Sequence, residues 1–585
     1  MAVLAPAYLP RRPTATVLYG VVRRHLETFL AHARESYEAP LPRYVEKEFR
    51  GYLSCGIFSR GFIRCLCDSC GHELLVAFSC KGRGVCPSCS GRRMANTGAH
   101  LVDRVVPNVP VRQFVLSIPY ELRRLAAFDP IVLTALNRIF VETVLAHYRA
   151  CAKRSGDGDG QTGSVTLVQR FGGSLNLHVH YHCVFLDGVF TRNEDGGLLF
   201  HPSPPPTRDD LQAVVRRVHD RARVWLRRHG HLHDPDASMD DADTTQPGAL
   251  DACAAIAMQR GSFAKLPTDA PAEAAEERPA LLHFVAEHEG WNLHAGVHIA
   301  AGDDLGRERL LRYGARPAFA LDRFRLLPDG RIGYRVKYAR PGSKHRVMTP
   351  LEMLARLSSL IPPPRFPLVR FHGVLGPRSA WRRDVVPKPR ERERCEARGP
   401  EDRSRDRAAR SSRGVNRADG VTSDKAKTPR EPPEATPPRR PPAPSPPAPA
   451  PGAKIPIREH GALPPEDPLD IESRRPDSCS PKTRAILLTP SILSIAHWNR
   501  LADGELHAAT RRVPWRDLLR RTFDVDVERC PRCGDRLRVL GAVLDPHAAR
   551  AILERLELPA TPPRAARARD PTELVTPEPP PDAAW

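Results

Sequence analysis

The stretch SVTLVQRFGGSLNLHVHYHCVFLDGVF, residues 164–190, sets the centre of the fold. Apolar, β-branched and aromatic residues fill both of its halves, and a short GGSLN connection separates them. Such runs around a glycine-containing turn are typical of two strands joined as a hairpin. The sequence therefore predicts an antiparallel sheet around residues 164–171 and the histidine-bearing strand that follows.

Three histidines alternate on that second strand, at His178, His180 and His182. Residues two apart share one face of a strand about 6.6 Å apart, so an adjacent pair of imidazoles can bind one metal ion. The outer two lie about 13 Å apart on a straight strand, so all three cannot easily do so. A single buried histidine usually only packs, but three in register favour a metal site completed by ligands from elsewhere.

The length and charge of the chain indicate a multi-domain protein that binds a polyanion. Its 585 residues suit roughly three or four domains. The formal charge is +21, and 78 of the 89 basic residues are arginine. Arginine binds phosphate bidentately and stacks on bases, which indicates DNA or RNA, although a GC-rich genome also favours arginine codons. No apolar run of about 18 residues is present, so we expect an intracellular protein without a membrane segment.

Cysteines are concentrated near the N-terminus, where six of the fourteen fall between residues 65 and 89. Two C-x-x-C pairs, separated by fifteen residues, predict one tetrahedral zinc site. Its predicted ligands are Cys67, Cys70, Cys86 and Cys89. Four thiolates leave no position for an activated water, so this zinc is expected to be structural. Cys65 and Cys80 fall outside the pairs, as spares, packing residues or support for the site.

Two further features accompany the cysteines. Arg92 and Arg93 follow the second pair and make the module a candidate DNA-docking unit. Near the C-terminus, CPRC at Cys530–Cys533 forms a lone pair with no partner pair in its own unit. Its partners are either absent or supplied across a dimer.

Composition divides the chain into five predicted segments of an α+β protein. They are a helix and cysteine module (14–110), a mixed domain (111–384) with a variable insertion (231–280), a linker (385–485), a small unit (486–560) and a tail (561–585). Ten of the twenty residues in 431–450 are proline, so the Pro/Arg-rich linker and the tail are predicted to be disordered.

Several stretches together resemble the rolling-circle transposases of the insertion sequence 91 family. They are CDSCGHELLVAFSCKGRGVCPSC, QRFGGSLNLHVHYHCVFLDGVF, LLRYGARP, TPLEMLARLSSLIPPPRFPLVRFHGVLGP and WRDLLRRTFDVDVERCPRCGDRLRVL. The resemblance implies an N-terminal zinc-binding domain and a HUH-endonuclease-like antiparallel sheet flanked by helices. It also implies that His180 and His182, with Tyr181 between them, hold a catalytic Mg²⁺ or Mn²⁺. His178 is then an extra histidine, either a third ligand on a bent strand or a DNA contact.

Tyr313 occupies the family's nucleophile position, in ERLLRYGARP. Arg312 and Arg316 flank it and are expected to bind phosphate. Many family members have a second tyrosine four residues earlier, but this chain has Arg309 there, so a single-tyrosine variant is expected.

Two questions about the site stay open at this point. YRVKY imitates a two-tyrosine spacing with Tyr334 and Tyr338, but it alternates like a strand, so both are expected to be packing residues. The candidates for a third metal ligand are Gln169, His294 and His298.

The resemblance implies a DNA transposase that nicks and rejoins single-stranded or hairpin element ends through a 5′-phosphotyrosine and inserts them into target DNA. The expected location is the bacterial cytoplasm, in association with the nucleoid. Two alternatives remain: a plasmid relaxase or rolling-circle replication initiator with the same site, and a non-catalytic zinc DNA-binding regulator.

Overall fold

The computed structural model describes seven stretches of the chain. They are residues 11–232, 248–259, 262–264, 284–340, 343–387, 515–523 and 526–570. The predictions for 388–485 of the linker, for 233–247, 260–261 and 265–280 of the insertion, for 486–514 and 524–525 of the small C-terminal unit, and for 571–585 of the tail lie outside them.

Helices account for much of the described chain. They are α1 (Val17–Glu35), α2 (Arg43–Ser54), α3 (Pro87–Arg104), α4 (Tyr120–Phe128), α5 (Pro130–Arg154), α6 (Arg208–Arg228), α7 (Ala249–Met258), α8 (Asp304–Gly314), α9 (Pro350–Leu360), α10 (Arg382–Val385), α11 (Trp515–Phe523) and α12 (Pro546–Arg555).

The described strands form four sheets. They are β1 (Phe62–Cys67), β2 (Glu73–Ala77), β3 (Val111–Ser117), β4 (Gly163–Phe171), β5 (Leu177–Leu186), β6 (Gly188–Arg192), β7 (Leu198–Pro202), β8 (Ser262–Ala264), β9 (Val285–His288), β10 (Trp291–Ile299), β11 (Phe324–Leu326), β12 (Ile332–Arg340), β13 (Ser343–Met348), β14 (Val369–Gly373) and β15 (Leu537–Val543).

The largest sheet has six strands in the order β14-β4-β5-β3-β10-β9. Every neighbouring pair in it is antiparallel. β4 and β5 pair directly, with Gln169 opposite His180 and Leu167 opposite His182, so the predicted hairpin is confirmed. The histidine strand lies inside the sheet, between β4 and β3.

The two faces of β5 meet different surroundings. On one face, Tyr181 and Phe185 are fully buried beneath α5, and the Tyr181 hydroxyl donates a hydrogen bond to the Leu133 carbonyl at 2.9 Å. The other face carries the histidines. Helix α8 packs against that face. Its Gly314 lies so close to strand β4 that an added Cβ would be 2.7 Å from the Leu167 side chain.

Helix α5 is the one described helix long and apolar enough to cross a membrane. Most of its apolar window is buried inside the protein, where Leu133, Leu136 and Phe140 have no exposed surface. Such burial is typical of the core helix of a globular domain, so the helix is weak evidence for a membrane span.

Part of the predicted insertion is packed. Helix α7 lies within 231–280 and packs against α9, with Cys253, Ala254 and Ala257 buried. Small side chains at this contact let two helices approach closely.

A smaller sheet of three strands, in the order β15-β1-β2, joins the two ends of the described chain. C-terminal β15 pairs antiparallel with β1, and Leu553 and Ala549 of α12 are buried with Phe62 and Leu75. Burying a leucine side chain such as that of Leu553 contributes about 1.5–3 kcal/mol to the free energy of folding. The described residues of the predicted C-terminal unit therefore share a sheet and a core with the N-terminal region.

Candidate active site and metal centres

The three predicted histidines form a row of rings on one face of β5. The His178 and His180 rings are stacked with centroids 5.0 Å apart, and His180 and His182 are edge-to-face at 4.9 Å. His180 and His182 are buried. Burial and the charges of His180 and Arg123 hold the pKa of His178 well below its usual range, so that ring is neutral.

A backbone contact fixes the tautomer of His180. Its Nδ1 lies 2.9 Å from the carbonyl oxygen of His178, and a carbonyl can only accept, so Nδ1 carries the proton and donates. In the neutral ring the lone pair is then on Nε2. Metal-binding histidines are commonly oriented by such a bond through the second ring nitrogen.

Tyr313 lies beside the histidine row. Its ring centroid is 5.7 Å from that of His182, with the rings edge-to-face. Tyr313 lies in the last turn of α8, which follows the N-cap Asp303 and ends at Gly314. The structure thus brings the predicted nucleophile next to one of the two predicted metal ligands, while Arg309 on the same helix is exposed.

An arginine covers the tyrosine ring. The Arg316 guanidinium carbon lies 5.1 Å from the centroid of Tyr313 and 4.8 Å from that of Phe171. A cation held over two aromatic faces is attracted by their ring quadrupoles, and its N–H groups stay available for an anion.

Gln169 ties the sheet to the tyrosine helix. Its Nε2 donates to the carbonyl oxygens of Tyr313 at 2.9 Å and Gly314 at 2.8 Å. Gln169 is 1% exposed, and its Oε1 is buried without a hydrogen-bond partner among the described residues. One amide therefore caps the end of α8 and leaves an oxygen free on the strand next to His180.

The two histidine candidates for a third metal ligand, His294 and His298, lie on opposite faces of the six-stranded sheet. His294 is buried on the histidine face, but strand β3 lies between it and β5. His298 pairs with Arg112 on the opposite face and lies 3.5 Å from the Asp187 carboxylate. The suggestion of His298 was therefore wrong, because a bulge in β10 turns it away from the site.

The buried network on that opposite face is structural. The Arg112 guanidinium lies 2.9 Å from the carboxylate of Asp187, and the hydroxyl of Tyr148 donates to the same carboxylate at 2.7 Å. Burial and the carboxylate of Asp187 raise the pKa of Tyr148 well above its ordinary value, so it stays a phenol.

The competing tyrosine Tyr334 is a core residue. It is fully buried and its hydroxyl accepts a hydrogen bond from Arg323 at 3.2 Å, which confirms its assignment to packing. The side chain of Tyr338 lies outside the described residues.

The cysteines form two four-thiolate clusters, and this corrects the predicted grouping. One cluster joins Cys55, Cys80, Cys86 and Cys89, and the other joins Cys67, Cys70, Cys530 and Cys533. The prediction of one site from the two N-terminal C-x-x-C pairs was wrong, because those pairs belong to different clusters. All four predicted cysteines still lie in a cluster.

Both clusters fit zinc by donor type and spacing. In the first, Sγ–Sγ distances are 3.4 Å for Cys55–Cys86, 3.8 Å for Cys55–Cys89 and 3.5 Å for Cys80–Cys89. A tetrahedral ion with Zn–S bonds of about 2.3 Å holds its sulfurs about 3.8 Å apart. The distances are too long for disulfides, whose sulfurs are about 2.05 Å apart.

Sequence reasoning missed Cys55 and left Cys80, Cys530 and Cys533 without assigned partners. One weak sequence signal could have marked two of them as metal ligands. Cys55 and Cys533 are each followed directly by a glycine, as the predicted ligand Cys70 is. Cys65 is buried in a small apolar cluster and belongs to neither four-cysteine group.

A cleft lies between helix α3 of the cysteine module, strand β4 and the end of α8. Arg83, Arg93 and Arg316 line it, together with Gln169. Arg92 and Arg93 are exposed on α3, and Arg312 is half-buried on α8. With Arg170, four arginines line this cleft and create a positive potential that attracts a phosphate backbone.

Two protein-family models match the chain. Residues 21–118 match the model described as "Transposase zinc-binding domain", of the IS91 type, and residues 163–382 match the model described as "Putative transposase". A search of the curated proteins and a search of the solved structures each found no match.

Both models describe transposases, so the chain is an enzyme of the class that moves DNA segments, and DNA is its partner. It belongs to the insertion sequence 91 family of transposases. The first match spans one complete four-cysteine cluster, and the second spans His180, His182 and Tyr313.

Proposed function

We propose that the protein is a rolling-circle transposase that cleaves and rejoins single-stranded DNA with Tyr313 as its nucleophile. The observation that carries the proposal is the contact between the Tyr313 and His182 rings, 5.7 Å apart, with Arg316 of the positively lined cleft over the Tyr313 ring. The six-stranded antiparallel sheet with its internal histidine strand supports a HUH-like arrangement.

His180 and His182 fit a divalent cation. The tautomer of His180 places the lone pair of its neutral ring on Nε2, the type of donor that binds a metal ion, and the buried Oε1 of Gln169 on the neighbouring strand is a second candidate donor. His180 and His182 belong to no group of three described histidine, cysteine or acidic side chains with ligand atoms within 4.8 Å of one another. Bound Mg²⁺ or Mn²⁺ would supply Lewis acidity to the non-bridging oxygens of the scissile phosphate.

The chemistry is one phosphoryl transfer at each end. The Tyr313 oxygen forms a bond to phosphorus as the bond from phosphorus to the 3′ oxygen breaks, and the phenolic proton is lost. The 3′ oxygen takes up a proton and leaves as a hydroxyl, while the 5′ phosphate stays on the tyrosine. Attack by a 3′-hydroxyl on this ester reverses the step and rejoins the strand.

The arginines supply binding and charge stabilisation. Arg316, held over the Tyr313 ring, lies where it can bind the phosphate under attack. Arg312, Arg92 and Arg93 would contact neighbouring phosphates of the same strand. We expect the protein to act on single-stranded or hairpin ends in the cytoplasm, at the bacterial nucleoid.

Cleavage of single-stranded oligonucleotides tests the proposal. With Mn²⁺ present, the parent protein should release a 5′-labelled fragment with a free 3′-hydroxyl, and a 3′ label should stay on the protein in denaturing gels. Tyr313→Phe should abolish the covalent adduct, and His180→Ala should lower cleavage by at least 100-fold, roughly the loss of one essential catalytic contribution.

The matched control is Tyr334→Phe, which removes the hydroxyl of a buried core tyrosine and should leave cleavage near the parent rate. If Tyr313→Phe still forms the adduct, the nucleophile is another residue and the proposal is wrong. If no variant and no parent protein cleaves while DNA binding persists, a non-catalytic DNA-binding role is the better account.

A further inference from the structure

We propose that this transposase carries a second structural zinc ion, held by Cys67 and Cys70 from the N-terminal region and by Cys530 and Cys533 from the C-terminal segment. The ion would fasten the C-terminal segment, residues 526–570, to the zinc-binding domain. Cys530 and Cys533 lie outside both ranges that match family models. The claim does not depend on the proposed cleavage chemistry.

The four sulfurs are placed for one ion. The Sγ atoms are 3.5 Å apart for Cys67–Cys533 and 3.6 Å apart for Cys70–Cys530. All four ligand atoms lie within 4.8 Å of one another. This spacing is close to the roughly 3.8 Å expected between thiolates of a tetrahedral zinc site.

The two half-sites have the same local geometry. The Gly71 N–H donates to the Cys67 carbonyl at 2.9 Å, and the Gly534 N–H donates to the Cys530 carbonyl at 2.9 Å. Both glycines have positive φ, at 67° and 79°. A tight C-x-x-C turn closed by a left-handed glycine points both thiols to one side, so each half presents two sulfurs to the other.

The chain around the site holds the halves together independently of the cysteines. β15 pairs with β1 in a register that places Leu537 opposite Cys67. Arg538 donates to the Asp68 carboxylate at 2.8 Å and 2.9 Å, beside the cluster. The sheet pairing and this ion pair place the two C-x-x-C turns side by side. Their four thiolates therefore come together although Cys70 and Cys530 are 460 residues apart in the sequence.

Zinc analysis of the full-length protein tests the proposal. The parent chain purified with zinc should contain two ions, and Cys530→Ser/Cys533→Ser should contain one. Hydrogen exchange should become at least 10-fold faster at the β15 amides of the double variant, since their strand loses its fastening.

Two controls fix the interpretation. Cys65→Ala removes a neighbouring thiol outside the clusters and should keep both ions. His219→Ala/His288→Ala alters a third group of ligand atoms, formed with Asp220, and should also keep both ions. A zinc ion lost with the histidines, or two ions retained by the serine double variant, would overturn the proposal.

A conservative variant covers the case in which the serine protein does not fold. Cys533→His keeps a zinc-binding side chain, so it should retain two ions. After exchange into Co²⁺, its thiolate-to-cobalt absorption should fall by about one-eighth, because seven thiolates replace eight. Unchanged absorption would show that Cys533 is no ligand.

Discussion

At the scale of single residues, Gln169 links the strand next to the histidines to the helix that carries the proposed nucleophile Tyr313. Its amide nitrogen holds the last two carbonyls of the tyrosine helix, and its oxygen lies beside the strand that carries His180. A buried side chain that donates to two backbone acceptors contributes more than packing, because removing it takes this partner from the Gly314 carbonyl and leaves the Tyr313 carbonyl with the long bond from the Arg316 N–H at 3.3 Å.

Exchanging Gln169 for Glu and for Leu separates its two roles. As a carboxylate, glutamate keeps an oxygen for a cation but cannot donate to the two carbonyls, and leucine can do neither. If positioning dominates, both variants should cleave roughly 10-fold or more slowly, since each lost buried partner costs about 1–3 kcal/mol.

Single-turnover cleavage rates over a Mn²⁺ series provide the measurement, with the zinc content as the check on folding. A Gln169→Glu protein that cleaves at the parent rate would show that the oxygen, and not the hydrogen bonds to α8, is what matters.

At the scale of elements, helix α3 of the zinc-binding domain supports helix α8. The two helices cross at Gly98, where an added Cβ would lie 2.5 Å from Cγ of Arg312. Arg312 directly precedes Tyr313, so this contact joins the first four-cysteine cluster to the nucleophile through a single helix.

Gly98→Ala should therefore slow cleavage, because the new methyl group must displace the backbone of α8 or the stem of Arg312. Gly91→Ala is a matched control on the same helix, where an added Cβ meets nothing within 4 Å. There the substitution should raise helix stability by about 0.5–1 kcal/mol.

Thermal unfolding and cleavage assays on both variants measure the difference. Equal cleavage by Gly98→Ala and Gly91→Ala would contradict a mechanical role for the crossing.

At the scale of the whole molecule, helix α11 connects the zinc-binding domain to the tyrosine helix. Arg521 of α11 donates to Asp103 of α3 at 2.7 Å and to Glu308 of α8 at 2.8 Å. The Glu308 side chain is only 7% exposed. Hydrogen bonding to Asp103 and the negative charge of Glu308 raise the pKa of Arg521 above its ordinary value.

Replacing Arg521 by Met should lower the unfolding temperature and the cleavage rate, since it leaves the buried carboxylate of Glu308 without this partner. Arg516→Met is the comparison, because Arg516 is exposed on the same helix and its ion pair with Glu528 is worth at most about 1 kcal/mol. Calorimetry and the oligonucleotide assay provide both readouts, and zinc content should stay unchanged in each variant. Equal unfolding temperatures and cleavage rates of the two variants would contradict a supporting role of Arg521 between α3 and α8.

The sequence by itself determined the hairpin, the shared face of the histidines and the presence of cysteine-based metal sites. Each follows from short-range geometry, namely the two-residue period of a strand and the tight turn of a C-x-x-C pair. The resemblance pointed to Tyr313, but no spacing rule predicts that it lies beside His182.

Only the tertiary structure decided which groups meet. Cys67 and Cys70 join cysteines about 460 residues away because β15 pairs with β1, and a local spacing contains no information about that pairing. His294 and His298 would share a face on a regular strand, yet the bulge between His294 and Val297 puts them on opposite faces. Local periodicity fixes where a side chain points along its own element, and long-range packing fixes what it points at.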